Sequence, residues 1–294
     1  MHLLSEEAID DGTRQLLAKI RHSLGLPALF IYYPALAAYP PFLRLHWQMM
    51  CSVVETANFF ACGDRLRADA YTRTHNYLHI PDLCAWLGQS RLSVAARQEL
   101  ATSLDLFHYA NPLLLLLFCA QLQALEGPIG EAKGTVQAAV HPTYVESPLL
   151  GVEENMPAAV RRRYEEIRRV LEMPYVNVEY EAMARYPDFL NFYWELLKGL
   201  LQSPLYQESQ YGLRETAWNL ARELPGPLEL SVDQLLEAGM KQEEIASVAR
   251  ILELFVKNLS GLLMNVAIAK IALEGGNIVA ERKSETKSDS ERVA

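Results

Sequence analysis

Residues 33–47 read YPALAAYPPFLRLHW and residues 180–194 read YEAMARYPDFLNFYW. A chain that carries nearly the same segment twice must fold as two related units or explain why not. Lay residue i against i+147, from Arg14/Arg161 to Trp47/Trp194, and thirteen of the thirty-four positions are identical. They include Ile20, Leu24, Pro27, Tyr33, Tyr39, Pro40, Phe42, Leu43 and Trp47 with their partners. Farther on the offset becomes 148, where DLFHYANPLLLLLFCAQLQALEG (105–127) lies against ELFVKNLSGLLMNVAIAKIALEG (253–275). A period this long is a duplication of one unit, not a solenoid. Two apolar-faced copies can pack about a pseudo-twofold axis as a homodimer does. The expected division is a first helical repeat at 1–127, a linker at 128–157, a second repeat at 158–280 and a disordered tail at 281–294. The Gly, Pro and lack of periodicity in the linker mark a surface segment, and the charged, Ser-rich tail has no aromatics to bury.

Each unit reads as helix after helix. In PAAVRRRYEEIRRVLEMP, Val160, Tyr164, Ile167, Val170 and Leu171 fall at helical spacing. The arginines between them pair with glutamates as Arg161–Glu165 and Glu165–Arg169, so the Arg161–Arg163 run reads as a solvated helix face. Asn177 stands as an N-cap before VEYEAMARY, Pro187 opens the next helix, and Ser231 and Gly239 bracket a further one. No hairpin signature or alternating Val/Ile run appears, so the expected fold class is all-α.

Composition removes several functions. Half of the 294 residues are hydrophobic and the formal charge is −9, which argues against nucleic acid as a partner. Cys51, Cys62, Cys84 and Cys119 form no CxxC and no metal-ligand spacing with histidine, so free thiols in a reducing cytoplasm are expected and no metal. The acidic N-terminus is wrong for a signal peptide. The apolar run Leu113–Ala120 is too short for a membrane span and fits a buried helix. His108 and His141 read as structural.

The shared YP…FL segment reads as scaffold, so function is expected where the copies differ. Glu179 has Tyr32 as its counterpart, and Asn111 has Leu259. One composite site would draw one group from each half. The plain alternative makes Asn111 an N-cap for a helix starting at Pro112, and Glu179 a first-turn acid favoured by the helix dipole.

FHYANPLLLLL, the HP…SPLLGV segment from His141, the YP break before the FL helix, and RELPG at 222–226 occur in an order and spacing that resemble the group I 2-haloacid dehalogenases, also called halocarboxylic acid dehydrogenases. The likeness covers about residues 10–278. It implies an all-α pseudo-dimer with the active site between its halves, no cofactor, and hydrolysis of both enantiomers of a short 2-haloacid with inversion and no ester intermediate. It implies that Asn111 is the asparagine that helps hold the attacking water. The aspartate that activates that water has two candidate positions here: Glu179, counting back from Tyr186-Pro187, or Asn177, counting forward from Pro174. Glutamate keeps the carboxylate and adds a methylene; asparagine has no base. The family's aromatic pocket positions match Ala28 and Ile31, and the neighbour of the base is Val178.

On this reading Glu179 is the base and Asn111 its partner. Ala28, Ile31, Asn177, Val178 and Phe255 contact the substrate, a small carboxylic acid whose halide leaves into an apolar wall and whose carboxylate meets helix-start N–H groups near Val178. A homodimer is left open, and no membrane partner is expected. The rival reading is a catalytically degenerate helical homologue that binds a small acid or a partner, favoured if Asn177 replaces the aspartate. A redox enzyme of the alkylhydroperoxidase or carboxymuconolactone decarboxylase type would need the missing CxxC.

Overall fold

The computed structural model describes residues 9–83, 92–130 and 156–277. Every regular element there is a helix: α1 (Asp11–Ser23), α2 (Tyr32–Leu36), α3 (Pro40–Val54), α4 (Ala57–Tyr77), α5 (Val94–Glu126), α6 (Ala158–Leu171), α7 (Val178–Ala184), α8 (Pro187–Leu201), α9 (Pro204–Arg222), α10 (Val232–Glu237) and α11 (Gln242–Glu274). The all-α expectation holds.

Local chemistry sets these boundaries. Asp10 caps α1 by accepting from the Thr13 N–H at 2.9 Å, and Thr56 and Ser93 do the same for α4 and α5. Ser231 and Gln234 form a capping box at α10, and Gly239 follows that helix at φ +91°. Prolines open α3, α8 and α9, where a missing N–H costs nothing.

The two longest helices, α5 and α11, lie against each other through the centre, and α4 and α9 pack on both. Residues Leu113–Ala120 are all buried there. Both α5 and α11 are long and apolar enough to cross a membrane by length and composition. The run Leu113–Ala120 is too short to span a membrane, but the whole of α5 is not. Burial explains its apolarity instead: 89% of the most apolar window of α5 and 72% of that of α11 are covered inside the fold.

Two isolated β-bridges tie distant parts of the chain, Ile80 with Asn277 and Ile129 with Leu228. At the first, Asn277 acts as a clasp. Its Oδ1 accepts from the Ile80 N–H at 2.8 Å, its Nδ2 donates to the Leu78 carbonyl at 2.9 Å and to the His75 carbonyl, and its own N–H donates to the Ile80 carbonyl at 2.9 Å. The C-terminal end of α4 is thus satisfied by the far end of the chain.

Two local expectations are corrected. Asn111 is no N-cap, because α5 runs through it with Pro112 inside the helix. Burial on all sides holds the helix together where Pro112 removes one intrahelical bond. On α6, the ion pairs form toward α8 rather than along the outer face: Arg163 meets Glu195 at 2.8 Å and also Glu166, and Lys198 meets Glu166 at 2.8 Å. The third residue of the arginine run is therefore half-buried, while Arg161 and Arg162 are exposed. The expected tail, 281–294, and most of the expected linker, 128–157, lie outside the described residues, as do Cys84 and His141.

Candidate active site

The short helix α7 packs on α5, and this brings two groups sixty-eight residues apart into contact. Asn111 Nδ2 donates to Glu179 Oε1 at 2.9 Å, with both residues buried. The other acceptor on each side chain, Glu179 Oε2 and Asn111 Oδ1, is buried without a partner. Native proteins seldom leave such atoms unpaired, and where they do the reason is often functional.

Burial is the main influence on the Glu179 carboxyl and pushes its pKa up from 4.5 to about 7. The hydrogen bonds from Asn111 and from its own backbone N–H oppose that rise, and the nearby Glu181 adds slightly to it. A carboxyl balanced near neutrality can take a proton and give it up again.

Asn177 occupies the N-cap position of α7 but makes no capping bond with its side chain. Its Nδ2 instead lies 3.5 Å from the Tyr32 hydroxyl. Burial, and then the Glu179 charge, push the Tyr32 hydroxyl well above its ordinary pKa. The Tyr32 ring stands edge-on to Phe255 at 4.9 Å and tilted against Phe118 at 5.8 Å. Phe255 is thus in the wall of the site, and the half-buried Val178 and Ile31 directly precede Glu179 and Tyr32. Ala28 lines a surface cleft of about 870 Å³ with Arg14, Arg21, Phe30 and Pro34, whose lining includes neither Asn111 nor Glu179. Of the helix-start N–H groups of α7, those of Tyr180 and Glu181 go to the Asn177 carbonyl.

Behind α7 lies a paired polar cluster. Asn265 Nδ2 donates to the Tyr180 hydroxyl at 3.0 Å, the Tyr206 hydroxyl donates to Asn265 Oδ1 at 2.7 Å, and the Tyr193 hydroxyl donates to the Asn265 carbonyl at 2.7 Å. A second cluster joins His46 Nε2 to the Tyr33 hydroxyl at 3.2 Å and to Gln121 Nε2 at 3.3 Å. Burial pulls the His46 pKa down to about 3, so the ring is neutral. His108 is likewise buried, its pKa lowered to about 4 by burial and then by Lys270 and Arg67. Among the described residues no three His, Cys, Asp or Glu side chains are grouped to hold a metal ion.

Tyr32 is the group that the sequence reading did not select for the site. The signal was present: it is the residue aligned with Glu179.

Compared with known proteins, the chain matches the family described as Halocarboxylic acid dehydrogenase DehI over residues 27–173, half of its length. An (R)-2-haloacid dehalogenase of Pseudomonas putida is 25% identical over 267 residues, covering 89% of each chain. A configuration-inverting 2-haloacid dehalogenase of Alcaligenes xylosoxydans xylosoxydans is 22% identical over 288 residues, covering 95% of each. A solved D-2-haloacid dehalogenase mutant in complex with D-2-CPA superposes with a TM-score of 0.86 at 24% identity, over 93% of this chain and 96% of that one.

Proposed function

The chain belongs to the halocarboxylic acid dehydrogenase family, and on that premise we propose that it is a cofactor-independent hydrolase that releases halide from short 2-haloalkanoic acids. The observation that carries this reading is the Asn111–Glu179 hydrogen bond, with one unpartnered acceptor left on each side chain. Two buried acceptors on two bonded side chains suit one molecule with two donor hydrogens, and water is such a molecule. Glu179 Oε2 takes a proton from this water as its oxygen attacks C2 of the acid. Asn111 Oδ1 holds the second hydrogen. The carbon–halogen bond breaks on the opposite side, so configuration inverts and a 2-hydroxy acid and a halide leave. The proton on Glu179 returns to solvent. Glu179, not Asn177, takes the base's role, because only Glu179 presents a carboxylate to Asn111. Phe255, Ile31 and Val178 form the apolar wall on the halide side. Ala28, in the arginine-lined cleft, belongs to the approach for an anionic substrate.

We further infer that the two halves, 1–127 and 158–280, are related by a pseudo-twofold axis that passes near this site. Helices α3 and α8 begin and end at aligned residues, as do α5 and α11. The two β-bridges are each other's images at offset 148: Ile80–Asn277 joins one half to the other, and Ile129–Leu228 joins the residue just past the first half to the second. The Thr216 hydroxyl donates to Asp69 Oδ2 at 3.0 Å, and these two residues are themselves aligned, 147 apart.

The test is halide release from (R)- and (S)-2-chloropropionate with chiral analysis of the lactate formed, together with a single turnover in ¹⁸O-water. Label in lactate with inverted configuration is expected. Label in the Glu179 carboxylate would mean an ester intermediate and would overturn direct attack by water.

A further inference from the structure

Beside Glu179 stand two polar side chains that do not satisfy each other. Asn177 and Tyr32 are each 2% exposed. Their contact of 3.5 Å is at the long limit for a hydrogen bond, and Asn177 Oδ1 has no partner. In this arrangement Tyr32 accepts, which leaves its own hydroxyl proton and one amide proton of Asn177 without acceptors. If the amide is turned over, Tyr32 donates to Oδ1 and both amide protons are left without acceptors. Either orientation leaves two donor hydrogens in a buried place next to a carboxylate base.

Neither group can easily turn away to find another partner. Asn177 is fixed at the start of α7 by its carbonyl, which accepts from Tyr180 and Glu181. The Tyr32 ring packs against both Phe118 and Phe255, which also touch each other. Two fixed donors in an apolar wall match an acceptor with two oxygens, and a carboxylate is the common biological group of that shape. Such donors also offset the repulsion that a second anion feels beside Glu179.

We propose that Asn177 and Tyr32 together hold the carboxylate of the substrate, so the acid group of a short chain is what this site selects. The assignment deepens the hydrolase reading and rests on it for the identity of the acid. Tyr32 and Asn177 are then binding residues, with Glu179 and Asn111 reserved for the water.

The experiment measures binding of propionate and of its neutral amide, propionamide, to the full chain by calorimetry, in wild type, Tyr32→Phe and Asn177→Leu. Steady-state halide release from 2-chloropropionate is measured in parallel. Wild type is expected to bind propionate and to discriminate against the amide. Each variant is expected to bind propionate at least about 10-fold more weakly and to raise KM more than it lowers kcat, as for loss of a hydrogen bond to a charged group. Tyr32→Phe also keeps the ring packed against the two phenylalanines, so its melting temperature should not fall. Equal propionate affinity in wild type and both variants overturns the proposal, as does failure of wild type to bind propionate. Wild type that binds propionate through these two residues but releases no halide would sink the hydrolase reading and leave the carboxylate site standing.

Discussion

The two halves solve the same packing problem with different polar groups. In the first half Tyr33 meets His46, whose same ring nitrogen also meets Gln121. In the second half the aligned Tyr180 meets Asn265, and Tyr193 stands where His46 does. Both tyrosines are buried, and each half pairs its hydroxyl by its own means. At two other aligned pairs the residues differ completely: Glu179 against Tyr32, and Asn111 against Leu259. A repeated scaffold therefore constrains shape, while its polar atoms are free to diverge. The result is one Asn111–Glu179 pair with no counterpart at the aligned positions.

The largest break in this comparison comes from Glu179→Gln. It keeps the shape and removes the proton acceptor, so turnover should fall by roughly 10²- to 10⁴-fold with the helical fold intact. In wild type, activity should rise with pH through about 7, where Glu179 ionises, and level off above it. The stability effect has the opposite sign. The folded pKa of about 7 lies above the ordinary 4.5, so the favourable contribution of Glu179 is complete below pH 4.5 and lost as pH rises through 7. The Gln variant should therefore match wild type in acid and be more stable above neutrality, by on the order of 3 kcal/mol. Urea unfolding at pH 4 and pH 8 measures this.

Asn111→Leu installs the residue of the other half. It removes a hydrogen bond that lowers the Glu179 pKa. Turnover should drop about 10²-fold and the pH–rate profile should shift upward. A drop with an unmoved profile would detach Asn111 from the base.

Asn265→Leu likewise copies the first half, which has Leu117 there. It would leave the Tyr180 and Tyr206 hydroxyls buried without their partner, at a cost of about 2–4 kcal/mol in thermal or urea unfolding. The smallest effect belongs to the end of α6. Glu172 has a left-handed backbone at φ 55°, where the aligned Gly25 has φ 63°. Glu172→Gly should raise stability by about 1 kcal/mol.

Much of this architecture was legible because helices announce themselves by period and caps, and because the sequence repeats. The Pro-opened helices and the Ser231 cap read directly. Asn111 and Glu179 were reachable as the positions where aligned copies disagree. What sequence reasoning missed depends on three dimensions. Pro112 reads as a helix start, yet packing carries α5 through it. The pairing of Arg163 with Glu195 needs α8 alongside α6. Tyr32 was seen only as a contrast to Glu179, since no local pattern reports that two aligned residues lie together.

The clasp made by Asn277 has a consequence for the order in which the chain becomes stable. Its four bonds close on residues 75–80, about two hundred positions earlier. During synthesis α4 emerges long before the residue that satisfies its last carbonyl groups. The first half must wait with that end unsealed until residue 277 has left the ribosome. Amide hydrogen exchange at residues 75–80 should therefore report on events at position 277. A chain ending before Asn277 should lose protection there first, at a site remote from the cut.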